Sequence, residues 1–218
     1  MPKNRYPDSD IAAVYRAIYE RRDVRHFLPG LIEPEIFSRL LDAAHHAPSV
    51  GFMQPWRFVR ISDSSLRKDI HDLVEQERIL TAKALNERED EFMKLKVEGL
   101  LECAEVLVAA LCERREDFVF GRRTLPEMDL ASLSCAIQNM WLAARAEGLG
   151  MGWVSMFEPQ ALKALLNMPE GSQPVAILCL GHVEKFYDKP MLEQEQWAAR
   201  RDINELLFEN TWNMPLCR

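Results

Sequence analysis

Apolar residues recur at helical spacing near the start of the chain. Ile11, Val14, Tyr15, Ile18 and Tyr19 share one face of a 3.6-residue period, and Ser9 or Asp10 is placed to cap the helix they predict. A second helix is expected behind Pro34, with Ile36, Phe37, Leu40, Leu41 and Ala44 turned inward and a stop before Pro48. A loop from Ala47 to Pro55 then leads to a short strand around Trp56 to Ile61. From Ser62 to about Leu101 charged residues dominate, and Leu66, Ile70, Leu73, Phe92 and Leu95 mark two exposed amphipathic helices that could act as a cover.

Two short, unbroken apolar runs, Glu105 to Leu111 and Val175 to Leu180, suit strands buried on both faces and predict the centre of a sheet. Between them Leu130, Leu133, Ile137, Met140, Trp141 and Ala144 predict a long core helix, with Gly148 where a C-terminal cap belongs. Gly152 to Phe157 reads as a further strand, followed by a short helix over Ala161 to Leu166 and a turn at Pro169 to Gly171. Helices and strands interleave around one sheet, so the expected class is α+β. No internal repeat or Gly/Ser linker interrupts the chain, and one domain over 1–218 with a C-terminal tail is expected.

Composition narrows the function classes. With 218 residues, 48% of them hydrophobic, the chain can bury a sizeable core within a single domain. The apolar run from Val106 to Cys112 falls far short of the roughly 20 residues of a spanning helix, and the polar N-terminus lacks the pattern of a secretory signal. A cytoplasmic location with no membrane partner is expected. Five cysteines, none spaced C-x-x-C, read as reduced packing residues. A net charge of −7 argues against nucleic acid as a partner, so any anion site has to be local.

Arg21, Arg22 and Arg25 stand out in this acidic background. Guanidinium groups offer planar, bidentate donors to a phosphate dianion. The same cluster could equally be a solvated helix end whose cations favour the helix dipole. Asp23 within it would repel a phosphate unless it pairs with an arginine or faces another part of the ligand. Pro48, Ser49, Gln54, Pro55 and Trp56 make a rigid loop whose donors could read the polar edge of a flat heteroaromatic ring, or simply a loop before a strand. His45 and His46 are about 100° apart on a helix and cannot share a metal. His26, His71 and His182 are isolated in sequence, so no metal site is expected. Ser155 has no neighbouring histidine and no G-x-S-x-G elbow, and dinucleotide and Walker signatures are missing.

Taken in order, Arg21-Arg-Asp-Val-Arg25, Ala47-Pro-Ser49, Gln54-Pro-Trp-Arg-Phe58, Gln138-Asn-Met-Trp-Leu-Ala-Ala144 and Gly150-Met-Gly-Trp153 resemble the flavin-dependent nitroreductase family along nearly the whole chain. Ordinary members usually carry serine where Asp23 stands and asparagine where Phe52 stands. These departures, with Val50-Gly-Phe-Met53 and Gly152-Trp-Val-Ser155, resemble the 5,6-dimethylbenzimidazole-forming branch. The resemblance implies a nitroreductase-like fold with a central mixed sheet flanked by helices. It implies a homodimer with FMN between subunits and a C-terminal arm over 198–218, packed through Leu206, Leu207, Phe208 and Trp212, exchanged between protomers. It implies that reduced FMN, made by a separate flavin reductase, is fragmented with molecular oxygen to 5,6-dimethylbenzimidazole and erythrose 4-phosphate for cobalamin, under a lid over 62–101 and without a metal.

The FMN-binding residues implied are Arg21, Arg22, Asp23, Val24, Arg25, His45, Pro48, Ser49, Gln54, Gly152, Trp153, Ser155 and Arg200, with Asp23 as base and Ser155 as hydrogen-bond donor at the reacting edge. An NAD(P)H-dependent nitroreductase or flavin reductase explains the same FMN features but not Asp23. A non-enzymatic flavin-binding protein is the other alternative.

Overall fold

A computed structural model describes residues 4–215. The chain divides into two compact units, 1–186 and 187–218. The first unit opens with α1 (Asp8–Glu20), α2 (Pro34–His45), β1 (Trp56–Arg60), α3 (Ser64–Ala84), α4 (Glu89–Met93) and β2 (Glu105–Leu111). It continues through α5 (Met128–Ala146), β3 (Gly150–Val154), α6 (Pro159–Leu165) and β4 (Gln173–Gly181).

The four strands form one sheet in the order β1-β2-β4-β3. Both apolar runs supply the central pair, and each is buried almost throughout. Side chains alternate across the sheet as strand geometry requires. Leu107, Ala109 and Leu111 of β2, with Ala176, Leu178 and Leu180 of β4, join Leu40 and Ala44 of α2 and Leu133, Ile137 and Met140 of α5 in one core. Val106, Val108, Ile177 and Cys179 face the other way and pack with Ile70 and Val74 of α3 and Leu162 of α6.

The sheet departs from the mixed topology expected. The three ladders between its strands all run antiparallel, and among the described residues parallel pairing is confined to an isolated bridge between Asp23 and Met151. The helical connections are long enough to permit either direction, so the choice falls to how the strand faces match across the two cores.

Three helices differ from their expected form. α1 starts behind Pro7, with Ser9 and Asp10 inside its first turn and no side-chain cap. Its apolar stripe is not core: none of its residues is buried, and Val14, Tyr15, Ile18 and Tyr19 are 55, 52, 43 and 69% exposed. α3 is a single 21-residue helix capped by Asp63, whose carboxylate accepts from the Leu66 amide, and it buries Ile70, Val74 and Ala82. The second helix expected before Leu101 shrinks to five residues, because Lys94 onward packs back on α3 as irregular chain, held by Arg78 donating to the carbonyls of Met93 (2.7 Å) and Leu95 (3.1 Å). α5 is the expected core helix, ending at Gly148 with φ +77°, although Leu130 on its expected inner face is exposed. Arg39 of α2 reaches Glu147 just past α5, and that pairing holds the Glu147 carboxyl below its usual range.

The second unit carries α7 (Met191–Gln194) and a short 3-10 turn over Ile203–Leu206. It is held internally by Phe208 stacked on Trp212 at 5.3 Å and by a bridge between Phe208 and Pro215. The tail expected over 198–218 lies within this unit. Among the described residues no helix is long and apolar enough to cross a membrane.

Candidate functional site

The arginine cluster begins where α1 ends. Arg21 occupies the C-cap in extended conformation, and the chain then runs alongside β3. The Val24 amide donates to the Met151 carbonyl (3.0 Å), so residues 23–25 add a short fifth track to the β3 edge. Gly152 makes this possible. A Cβ there would sit 2.3 Å from the Val24 carbonyl oxygen and 2.7 Å from an Arg25 guanidinium nitrogen.

Asp23 and Arg25 pair with each other. The Arg25 guanidinium engages both carboxylate oxygens of Asp23, at 2.7 Å to Oδ2, and also donates to the carbonyls of Trp153 (2.9 Å) and Val24 (3.1 Å). The Trp153 amide donates back to Asp23 Oδ1 (2.9 Å). Arg25 is buried, 8% exposed, whereas the Asp23 side chain is 42% exposed. The sequence allowed Asp23 to be offset by an arginine, and the structure names Arg25 as that arginine. The guanidinium expected to hold phosphate is thus turned toward the protein.

Arg21 and Arg22 are the part-exposed cations of the cluster. The Arg21 guanidinium lies 4.4 Å from the ring centre of Trp141, a cation–π contact that orients it. Trp141 Nε1 donates to the Arg22 carbonyl (3.1 Å), and Arg22 itself folds back on the carbonyls of Tyr19 and Arg21. Trp141 in turn lies 6.3 Å from Trp153, ring centre to ring centre. The apolar spacing of α5 marked Trp141 as core; its support of both arginines was not readable there. Val24 is buried and Ser155 is exposed, just beyond the end of β3.

The second group of expected residues lies elsewhere. Ser49 opens a tight turn, Val50–Phe52; Gly51 and Phe52 within it and Gln54 just beyond it all have positive φ (53, 55 and 50°). The Gln54 amide donates to Ser49 Oγ (3.0 Å) and the Val50 amide to Ser132 Oγ of α5 (3.0 Å). Ser132 is a buried hydroxyl on the inner face of α5, and a polar residue in that position was the available sign of its role. Phe120 and Gly121 pack against Gly51 and Val50 from outside. His45 Nδ1 accepts from Trp56 Nε1 (3.3 Å), and Pro48 is exposed between them and Ser49.

The loop carrying Ser49 and Gln54 enters β1, and the Asp23 segment borders β3. These are the two outer strands of the sheet. Two strands lie between them and the Asp23 track is one step beyond β3, so roughly 19 Å of sheet separates the groups at about 4.8 Å per step. Arg200 belongs to the second unit. The donor types fit FMN: guanidinium groups suit a phosphate dianion, and amide and hydroxyl groups on a rigid turn suit the polar edge of a flat ring.

Residues 18–182 match the nitroreductase family. The chain belongs to that family. Within it, the chain is 43% identical over 184 residues to the 5,6-dimethylbenzimidazole synthase of Rhodospirillum rubrum, covering 83% of this chain and 87% of that one. Among solved nitroreductase-like folds, a BluB-like flavoprotein from Clostridium difficile superposes with a TM-score of 0.70 at 19% identity, covering 91 and 99% of the two chains. An iodotyrosine deiodinase bound to FMN and 3-iodo-L-tyrosine superposes with a TM-score of 0.72 at 22% identity, covering 91 and 100%. The expected α+β nitroreductase fold is therefore established for this chain.

Cys103, Cys112, Cys135 and Cys179 are free thiols. The neighbouring Cys103 and full burial push the Cys179 thiol well above its usual range, which suits packing rather than chemistry.

Proposed function

We propose that this nitroreductase-family chain is a 5,6-dimethylbenzimidazole synthase, converting reduced FMN and oxygen to 5,6-dimethylbenzimidazole and erythrose 4-phosphate, the first being the lower ligand of cobalamin. The observation that carries this reading is the 43% identity to a synthase of that name across 83% of the chain. Asp23 where ordinary members have serine adds to it.

Reduced FMN, when bound, supplies the electrons that oxygen takes up and is itself the molecule cleaved. Arg21 and Arg22 hold the phosphate by charge-assisted hydrogen bonds. Arg25 neutralises Asp23, so the aspartate can stand beside a phosphate site without repelling it, and keeps its carboxylate fixed against β3. The Asp23 carboxylate takes up a proton at Oδ2 during cleavage, and Ser155 Oγ donates a hydrogen bond at the reacting edge. Ser49, Gln54, Pro48 and His45 belong to the ring-binding half.

The two half-sites lie on opposite sheet edges, which supports a homodimer in which each flavin meets one half from each copy. The exposed stripe on α1 supports the same reading, since an apolar face of this kind is covered in an assembly. The exposed stretch 86–91 is the part of 62–101 left to act as a lid, because α3 and Leu100 are committed to the core. A separate reductase provides FMNH2, and the protein acts in the cytoplasm.

The test mixes purified protein with chemically reduced FMN in air, without NAD(P)H, and follows small molecules by mass spectrometry. 5,6-Dimethylbenzimidazole is expected from the native chain and none from Asp23→Asn, which keeps FMN bound. Intact reoxidised FMN from the native chain would overturn the proposal. NAD(P)H oxidation with a nitroaromatic acceptor would then favour the reductase reading.

A further inference from the structure

We infer that His71, Glu75 and Glu98 form a divalent transition-metal site on the side of the molecule occupied by α3. His71 and Glu75 are one helical turn apart on α3, so their side chains emerge from the same face. Glu98 comes from the irregular chain after α4. One ligand atom of each lies within 4.8 Å of the others. His71 Nε2 and Glu98 Oε1 are 3.7 Å apart, too far for a hydrogen bond. That gap is close to the roughly 3.4 Å separating two ligands of a tetrahedral ion with bonds of about 2.1 Å.

The surroundings are built in the same sense. Glu98 Oε2 accepts from the Leu100 amide (2.5 Å), which fixes the carboxylate and leaves Oε1 toward His71. The other ring nitrogen, His71 Nδ1, faces Asp72 Oδ1 at 3.5 Å. A carboxylate behind a ligating histidine selects the tautomer that offers Nε2 to the metal and raises its basicity. The three side chains are only partly open to solvent, at 21% for His71, 15% for Glu98 and 32% for Glu75. Arg78 lies 3.3 Å from Glu75, so Glu75 is the weakest of the three ligands and His71 with Glu98 carry most of the affinity.

One nitrogen and two carboxylate oxygens suit zinc, manganese, iron(II) or cobalt better than calcium, and leave a position for water. The ion would tie α3 to the chain around Gly99, where a Cβ would meet the Arg25 carbonyl oxygen at 2.8 Å and the Phe27 ring at 2.6 Å. The site therefore braces the underside of the segment that carries Asp23 and Arg25.

The test is calorimetric titration of chelator-stripped full-length protein with Zn(II), repeated with Co(II) by visible absorption to report coordination without thiolate. One equivalent is expected to bind. His71→Ala and Glu98→Gln should each weaken binding more than tenfold, and Asp72→Asn, which touches no metal, about tenfold. Glu98→Gln preserves size and the acceptor for Leu100, so its fold, checked by circular dichroism, separates lost ligation from lost structure. Absence of stoichiometric binding, or native affinity retained in His71→Ala or Glu98→Gln, would overturn the inference.

Discussion

Three arginines of one type in one short segment have different tasks. Arg25 is buried and bonded to Asp23, Trp153 and Val24, whereas Arg21 is part-exposed over Trp141. Removing Arg25 takes a donor from two carbonyls and leaves the Asp23 carboxylate with the Trp153 amide but without its charged partner. Loss of one partner of a buried pair costs about 3–5 kcal/mol, and the half-exposure of Asp23 brings the expected figure to about 2–3 kcal/mol. Arg25→Ala should accordingly lower the urea midpoint of unfolding. Arg21→Ala should leave that midpoint nearly unchanged and weaken reduced FMN roughly 10- to 100-fold in an anaerobic titration, as expected for one charge-assisted hydrogen bond. An inverse result would return Arg25 to the phosphate. The sequence made the cluster visible as a cluster. It could not sort its members, because the carbonyl that claims Arg25 lies 128 residues away in β3.

At the scale of elements, the junction between the Asp23 segment and β3 depends on a missing side chain. Gly152→Ala would drive a methyl group into the Val24 carbonyl, and the backbone has to move because the obstacle is main chain. Overpacking of this kind costs about 1–3 kcal/mol. The shift would also pull Trp153 from Asp23, so Gly152→Ala should lower the thermal midpoint and product formation together. Full activity in a destabilised Gly152→Ala protein would show that the Asp23–Trp153 bond is dispensable. The helices show how far local pattern reaches. α2, α5 and the two central strands lie where their periodicity indicated, because their apolar faces found the core. α1 has an equally clear stripe and buries none of it within the chain. In α3, Ile70 and Val74 made the difference between an expected cover and a structural layer.

The first unit places the residues expected to bind flavin at two edges of one sheet, with an exposed apolar stripe on α1. If that stripe is a contact between copies, Ile18→Asp should yield a folded monomer by sedimentation that no longer retains FMN. A dimer of unchanged stability would place the contact elsewhere. By itself the sequence determined the class of fold and the positions of α2, α5 and the central strands. These are local properties, written in 3.6- and 2-residue periods and in short motifs. Only the tertiary structure decided the antiparallel order of the sheet, the partner of Arg25, the separation of Ser49 from Asp23, and the meeting of His71 with Glu98. Each of these joins residues far apart in the chain, and what lies opposite a residue is set by how strands and helices close on one another, which periodicity does not encode.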